Sequence, residues 1–222
     1  TSATVTGSVV VKNPHGFLPG NEYSNLNFHG WCAVIHLVLN VLWLSTYIRF
    51  FKSTFFIHSG IASASALCFL ESSLSWLMYK DWNSTGNLRE LFVLPSMVCY
   101  VLKYGCAWKL LQFSALGAGL VQDDIDTVYD VKNVLASSLF VLQQCTWKLV
   151  MNSYYTLQLS PGFVAAIAVP GFLIYAALFV WSFLTLMHLL NRLKEEQKEM
   201  ALACFHKVQY VMIAAVVGSC LV

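Results

Sequence analysis

The chain has 222 residues and a formal net charge of +2, with 58% hydrophobic and only 11% charged residues, against about 25% charged in a soluble domain. Six long apolar stretches fill most of it, and a membrane-crossing helix needs about 20 predominantly apolar residues, so a soluble globular fold is excluded. The small charge and the lack of a Lys/Arg-rich block exclude nucleic acid as a partner; the partner the composition demands is the lipid bilayer.

Residues 1–25 read as the end of an extramembrane β domain and its linker. Thr4, Val5, Thr6, Val9, Val10 and Val11 are β-branched and mark a strand. One strand is unstable alone, so it is expected to be the last of a domain lying upstream. Asn13-Pro14-His15-Gly16 and Leu18-Pro19-Gly20-Asn21 are turn-forming. The chain starts at Thr1 without Met and its last apolar stretch is short, so a fragment of a longer protein is expected.

Residues 26–222 read as a transmembrane helix bundle, giving an all-α membrane protein. The first span covers residues 26–48 and ends in the basic turn Arg49-Phe50-Phe51-Lys52. The second, 55–79, leads into a polar loop with Asn83-Ser84-Thr85, a glycosylation acceptor pattern. The third, 91–121, is kinked or started at Pro95, and the acidic Gln122-Asp123-Asp124-Ile125-Asp126 follows it. The fourth, 131–151, is diluted by Gln143, Gln144 and Lys148. The fifth, 163–190, carries Pro170, tolerable where neighbouring helices re-satisfy the freed carbonyl. A charged connector, 192–199, leads through Phe205-His206-Lys207 to a truncated sixth span, 208–222.

Basic residues set the orientation. Arg49, Lys52, Lys132, Arg192, Lys194, Lys198 and Lys207 fall on one side, and Lys12, Lys80 and Arg89 on the other. The richer side is assigned to the cytosol and the N-terminus to the lumen, where the Asn83 sequon meets the glycosylation machinery. Trp31, Trp76, Trp82, Tyr79 and Tyr23 cluster at the same boundary, as an aromatic belt does.

Glu71 and Lys103 are the charges that most need explaining. They lie roughly 12 Å and 18 Å from the lumenal end of the second and third spans at 1.5 Å per residue. An isolated charge there costs about 2.5–3.5 kcal/mol, so an intramembrane ion pair is expected, acting as a helix clamp or as part of a polar cavity. His36 and Lys109 are candidate cavity-lining residues; Lys109 and Lys148 also read as snorkelling anchors. The seven cysteines, mostly inside apolar segments, read as small hydrophobes. No metal-ligand spacing, cofactor motif or catalytic set is present in the sequence, so neither a metal, a cofactor nor an enzymatic activity is expected.

Several short motifs, in order and spacing, resemble the seven-transmembrane proteins that carry a lumenal GOLD domain, the lung seven-transmembrane receptor-like family, and its Golgi branch in particular. They are Val10-Val11-Lys12-Asn13-Pro14-His15-Gly16-Phe17-Leu18, Leu42-Trp43-Leu44, Leu70-Glu71, Lys103, Leu116-Gly117-Ala118-Gly119-Leu120-Val121, Val169-Pro170, Trp181 and Phe205-His206-Lys207. The chain departs from the family pattern at Ser72, where a Lys is usual, and at Tyr175, where the Golgi branch often has Asp. The resemblance implies a GOLD domain upstream, a seventh helix downstream, residence in Golgi or endosomal membranes, and kinship in fold with the Wnt-carrying protein Wntless.

Three functions follow from these readings. The first is a trafficking factor that meets protein cargo in the lumen or holds lipid among its helices. The second is a cation channel, with Glu71 beside the water path and Asp123 and Asp124 at its mouth. The third is a G-protein-coupled receptor, which the third span does not favour, since Ala118-Gly119-Leu120 stands where an Asp/Glu-Arg-Tyr-type triplet belongs.

Overall fold

In the computed structural model, residues 12–50, 56–118, 121, 127–157 and 160–220 are described. Their regular structure is entirely helical: α1 (Gly20–Arg49), α2 (Phe56–Thr85), α3 (Glu90–Leu116), α4 (Thr127–Leu157), α5 (Pro161–Glu195) and α6 (Glu199–Cys220). Helices α1 to α5 are each long and apolar enough to cross a membrane. The all-α membrane architecture read from the sequence is therefore the architecture observed. The strand expected at residues 4–11 and the acidic stretch 122–126, with Asp123 and Asp124, lie outside the described residues.

Backbone chemistry places the helix ends. Ser160 caps α5: its Oγ accepts from the Phe163 amide at 3.3 Å, and Pro161, whose missing N–H is no loss in a first turn, follows it. Helix α3 stops at Leu116, short of the expected 121, because Gly117 adopts φ +68°. The Gly117 amide then donates to Ser114 O and the Ala118 amide to Phe113 O, the paired bonds of a Schellman ending. Helix α5 ends in the same way on Gln197 (φ 53°), with the Gln197 amide bonded to Lys194 O and the Lys198 amide to Leu193 O. Only three residues therefore separate α5 from α6.

The helices group into two compact units. Unit 1 contains residues 1–45 and 65–100, and unit 2 residues 46–64 and 101–222. In unit 1, α1 contributes no fully buried side chain and turns Trp31, Ile35, Val38 and Leu42 outward, as a lipid-facing helix does. Unit 2 holds two apolar clusters. One joins Ala115 of α3, Leu186, Leu189, Leu190 and Leu193 of α5, and Phe205 and Met212 of α6. The other joins Trp108 of α3, Phe140 of α4 and Leu178 of α5. Close helix approach in unit 2 uses small residues: a Cβ at Gly105 would meet Val141 Cγ2 at 2.8 Å, and one at Gly171 would collide with the Gln143 amide.

Candidate functional site

In unit 1, α1, α2 and the first part of α3 are stitched together by buried or half-buried polar side chains. Apolar surfaces gain little from meeting one another in lipid, so such hydrogen bonds and close packing carry helix association. His36 of α1 meets Ser72 Oγ of α2 through Nδ1 at 3.1 Å. One turn on, Asn40 Nδ2 donates both to His36 O and, across to α2, to Ser65 O at 3.0 Å. On the neighbouring face of α2, Ser75 Oγ lies 3.4 Å from Glu71 Oε1 and 2.8 Å from Ser96 Oγ of α3. Glu71, Ser72, Ser75 and Ser96 are all buried, Glu71 with 5% exposure. A carboxyl with hydroxyl neighbours inside a spanning segment is the strongest chemical feature of this unit.

A second feature occupies another face of the same helices. Gly30, Ala33, Val34 and Leu37 of α1 and Phe69, Ser73, Trp76 and Leu77 of α2 line an open groove of about 340 Å³. Gly30 forms part of its wall: a Cβ there would stand 3.1 Å from the Trp76 indole, so the missing side chain lets the two helices approach. Lys80 extends its Nζ over the Trp76 ring, 4.8 Å from the centroid.

At the end of the unit near the α1 N-terminus, polar and aromatic groups interlock. Tyr79 OH donates to Glu22 at 3.3 Å, and its ring stacks on His29 at 5.6 Å and lies 6.3 Å from Trp82. Asn83, the sequon residue, sits in the last turn of α2. Its Nδ2 donates to His15 O at 2.8 Å and its Oδ1 accepts from the Leu18 amide at 3.2 Å. Gly16, at φ +133°, leaves the space this carboxamide fills.

The sequence-derived site residues thus fall in both units. Glu71, His36 and Asn83 belong to unit 1, where Glu71 and His36 engage neighbouring serines. Lys103 and Lys109 belong to unit 2; their Nζ atoms lie over the Tyr104 ring at 5.3 Å and the Phe113 ring at 5.4 Å. Among the described residues no three His, Cys, Asp or Glu side chains converge as a metal site, and Cys32, Cys68, Cys99, Cys106, Cys145 and Cys204 are free thiols. Ser65, Ser75 and Ser96 escaped sequence reading because a hydroxyl in an apolar helix is cheap and common, and Ser72 stood out only as a departure from the family pattern. The one available clue was the alignment of Ser72, Ser75 and Glu71 within a single turn.

Helices of this number, length and hydropathy define a multispanning α-helical membrane protein. Within that class, residues 24–221 match the family described as "GOST, seven transmembrane domain", and the chain belongs to that family. It is similar to "Transmembrane protein 87A" of Xenopus tropicalis, with 21% identity over 214 residues, 96% of this chain and 38% of that protein. It is also similar to "Transmembrane protein 87B" of Mus musculus, with 25% identity over 121 residues, 54% of this chain and 22% of that protein. The chain therefore spans well under half the length of these curated relatives.

Proposed function

We propose that this protein resides in Golgi or endosomal membranes with its N-terminus in the lumen and acts in the membrane trafficking of proteins, holding a lipid or a lipid-modified cargo among its helices. The groove between α1 and α2 carries this reading. It is lined almost wholly by apolar side chains, it is open, and it lies on helices apolar enough to span a bilayer. Such a surface suits an acyl chain better than any polar substrate, and the reading is non-enzymatic. Glu71 and Lys103 enter this reading as structural charges, and a glycan on Asn83 belongs to the same lumenal reading.

Photo-crosslinking of the full-length protein in nanodiscs with a phospholipid bearing a diazirine on its acyl chain tests the groove. Ala33→Trp, which fills it, is expected to lower labelling of the groove-lining residues Val34, Leu37, Phe69 and Leu77 about tenfold, equivalent to about 1.4 kcal/mol of affinity. Undiminished labelling in a folded variant rejects the groove as the lipid site. One observation favours a second reading, a cation-conducting pore: a buried carboxyl, Glu71, with hydroxyl neighbours inside a spanning helix. Ion flux in liposomes separates the two. A cation current altered by Glu71→Gln or Lys103→Met makes these charges part of a pore, whereas silence from folded protein leaves the trafficking reading standing.

A further inference from the structure

Unit 2 contains a polar layer that none of these roles uses. Along α5, Leu178, Ser182 and Leu186 follow at one-turn intervals, as Trp108, Gln112 and Ala115 do along α3. The outer members belong to the two separate apolar clusters, so Gln112 and Ser182, both fully buried, lie between them. Gln112 Nε2 donates to Ser182 Oγ at 2.6 Å. Tyr129 OH of α4 donates to Gln112 Oε1 at 2.9 Å and lies 3.5 Å from Thr185 Oγ1. These four side chains satisfy one another, and the Ser182 and Thr185 hydroxyls donate onward to carbonyls of their own helix.

The next turns of α4 break the pattern. Tyr129, Asn133, Ser137 and Phe140 share one helix face by their spacing, and Trp108 packs on Phe140 with ring centroids 5.7 Å apart. Asn133 is 0% exposed, yet neither its Oδ1 nor its Nδ2 has a hydrogen-bond partner among the described residues. The same holds for Ser137 Oγ and Trp108 Nε1. Buried polar atoms left unpartnered are rare in native proteins, and ordered water is the usual partner when protein groups do not supply one. Lipid cannot do so.

We propose that Asn133, Ser137 and Trp108 form an internal hydration site whose ligand is water. The donor set selects the ligand. The Trp108 indole and the Asn133 amide nitrogen can only donate, so they repel a metal cation; Asn133 Oδ1 can only accept, so it disfavours an anion. Water donates and accepts, and it satisfies all of them. Trp108 and Phe140 belong to one of the apolar clusters, so the unpartnered atoms lie against apolar side chains that offer no competing hydrogen bonds.

Radiolytic hydroxyl-radical footprinting of the full-length protein in nanodiscs tests the site, because radicals formed from a bound water oxidise the side chains beside it. Normalised for intrinsic ring reactivity, Trp108 is expected to be oxidised about tenfold faster than the similarly buried Phe205 of the apolar cluster, and Asn133→Leu to remove that excess. If Asn133→Leu does not fold, the wild-type comparison and Ser137→Ala, which is expected to slow Trp108 oxidation, decide the matter. Trp108 oxidised no faster than Phe205 in the wild type overturns the proposal. So does a melting temperature that rises with Na⁺ or K⁺ in the wild type but not in Asn133→Leu, which would make the ligand a cation.

Discussion

Both units bury polar groups inside apolar helices, and they do so differently. Unit 1 keeps an ionisable carboxyl, Glu71, in a seam of serines and presents an open apolar groove on another face of the same helices. Unit 2 uses neutral amides and hydroxyls and closes the layer between two apolar clusters. An open groove beside a polar seam suits a partner that comes and goes. A closed neutral layer fixes helix register without any charge to compensate. On the lipid-binding proposal, ligand exchange belongs to unit 1, and the closed layer leaves unit 2 a packing role.

The largest test of that assignment is to truncate one leucine in each unit. Leu186 is fully buried in the α3–α5–α6 cluster, so Leu186→Ala leaves a cavity, and about 2–5 kcal/mol of stability is expected to be lost. Leu37 lines the groove and is 47% exposed, so Leu37→Ala removes few packing contacts and is expected to cost under about 0.5 kcal/mol. Unfolding of the two variants in mixed micelles measures both. Equal losses would erase the distinction between a load-carrying unit and an open one.

A smaller effect is expected at the end of unit 1. Asn83→Ala removes the bonds to His15 O and the Leu18 amide, and about 1–2 kcal/mol should be lost. Asn83→Asp keeps the acceptor for Leu18 and should lose roughly half as much. Thermal melts of proteins produced in a host that does not N-glycosylate isolate the hydrogen bonds from any glycan. An Asn83→Ala variant as stable as the wild type would show that the 13–18 turn is held by something other than this carboxamide.

The sequence was legible where physics is additive along the chain. Among the described residues the six apolar stretches lie on six helices, five of them long and apolar enough to span, because a membrane requires both hydropathy and internally satisfied backbone. Helix ends were less legible. Helix α1 begins at Gly20 and α6 at Glu199, earlier than the expected 26 and 208, because hydropathy reports where lipid begins while helical hydrogen bonding continues into the polar zone. The Gly117 stop was written in the sequence as Leu116-Gly117-Ala118 and was absorbed into a longer apolar run. Glu71 announced itself because a charge in an apolar segment is conspicuous. Gln112, Tyr129, Asn133 and Ser182 did not, since neutral polar residues read singly as dilution. Only the one-turn spacing of Tyr129, Asn133 and Ser137 hints that they share a face.

The smallest expected effect concerns the turn that joins α5 to α6 in unit 2. Glu196 accepts from Lys198 Nζ at 2.8 Å and from Arg192 Nε at 2.8 Å, and these bonds, Lys198 first, hold its carboxyl below the ordinary value of 4.5. A carboxyl whose folded pKa is depressed contributes stability that is present above its unfolded pKa and lost as pH falls through the folded value. The loss therefore begins below about pH 4.5 and grows with further acidification. Glu196→Gln should flatten that limb of the melting-temperature profile while leaving neutral pH almost unchanged, since exposed ion pairs contribute little. Raising the salt should shrink the difference between the two profiles. A large drop at neutral pH in Glu196→Gln would mean that unit 2 depends on this surface cluster for its integrity, and the contrast between a layered, closed unit and an open one would have to be redrawn around the α5–α6 turn.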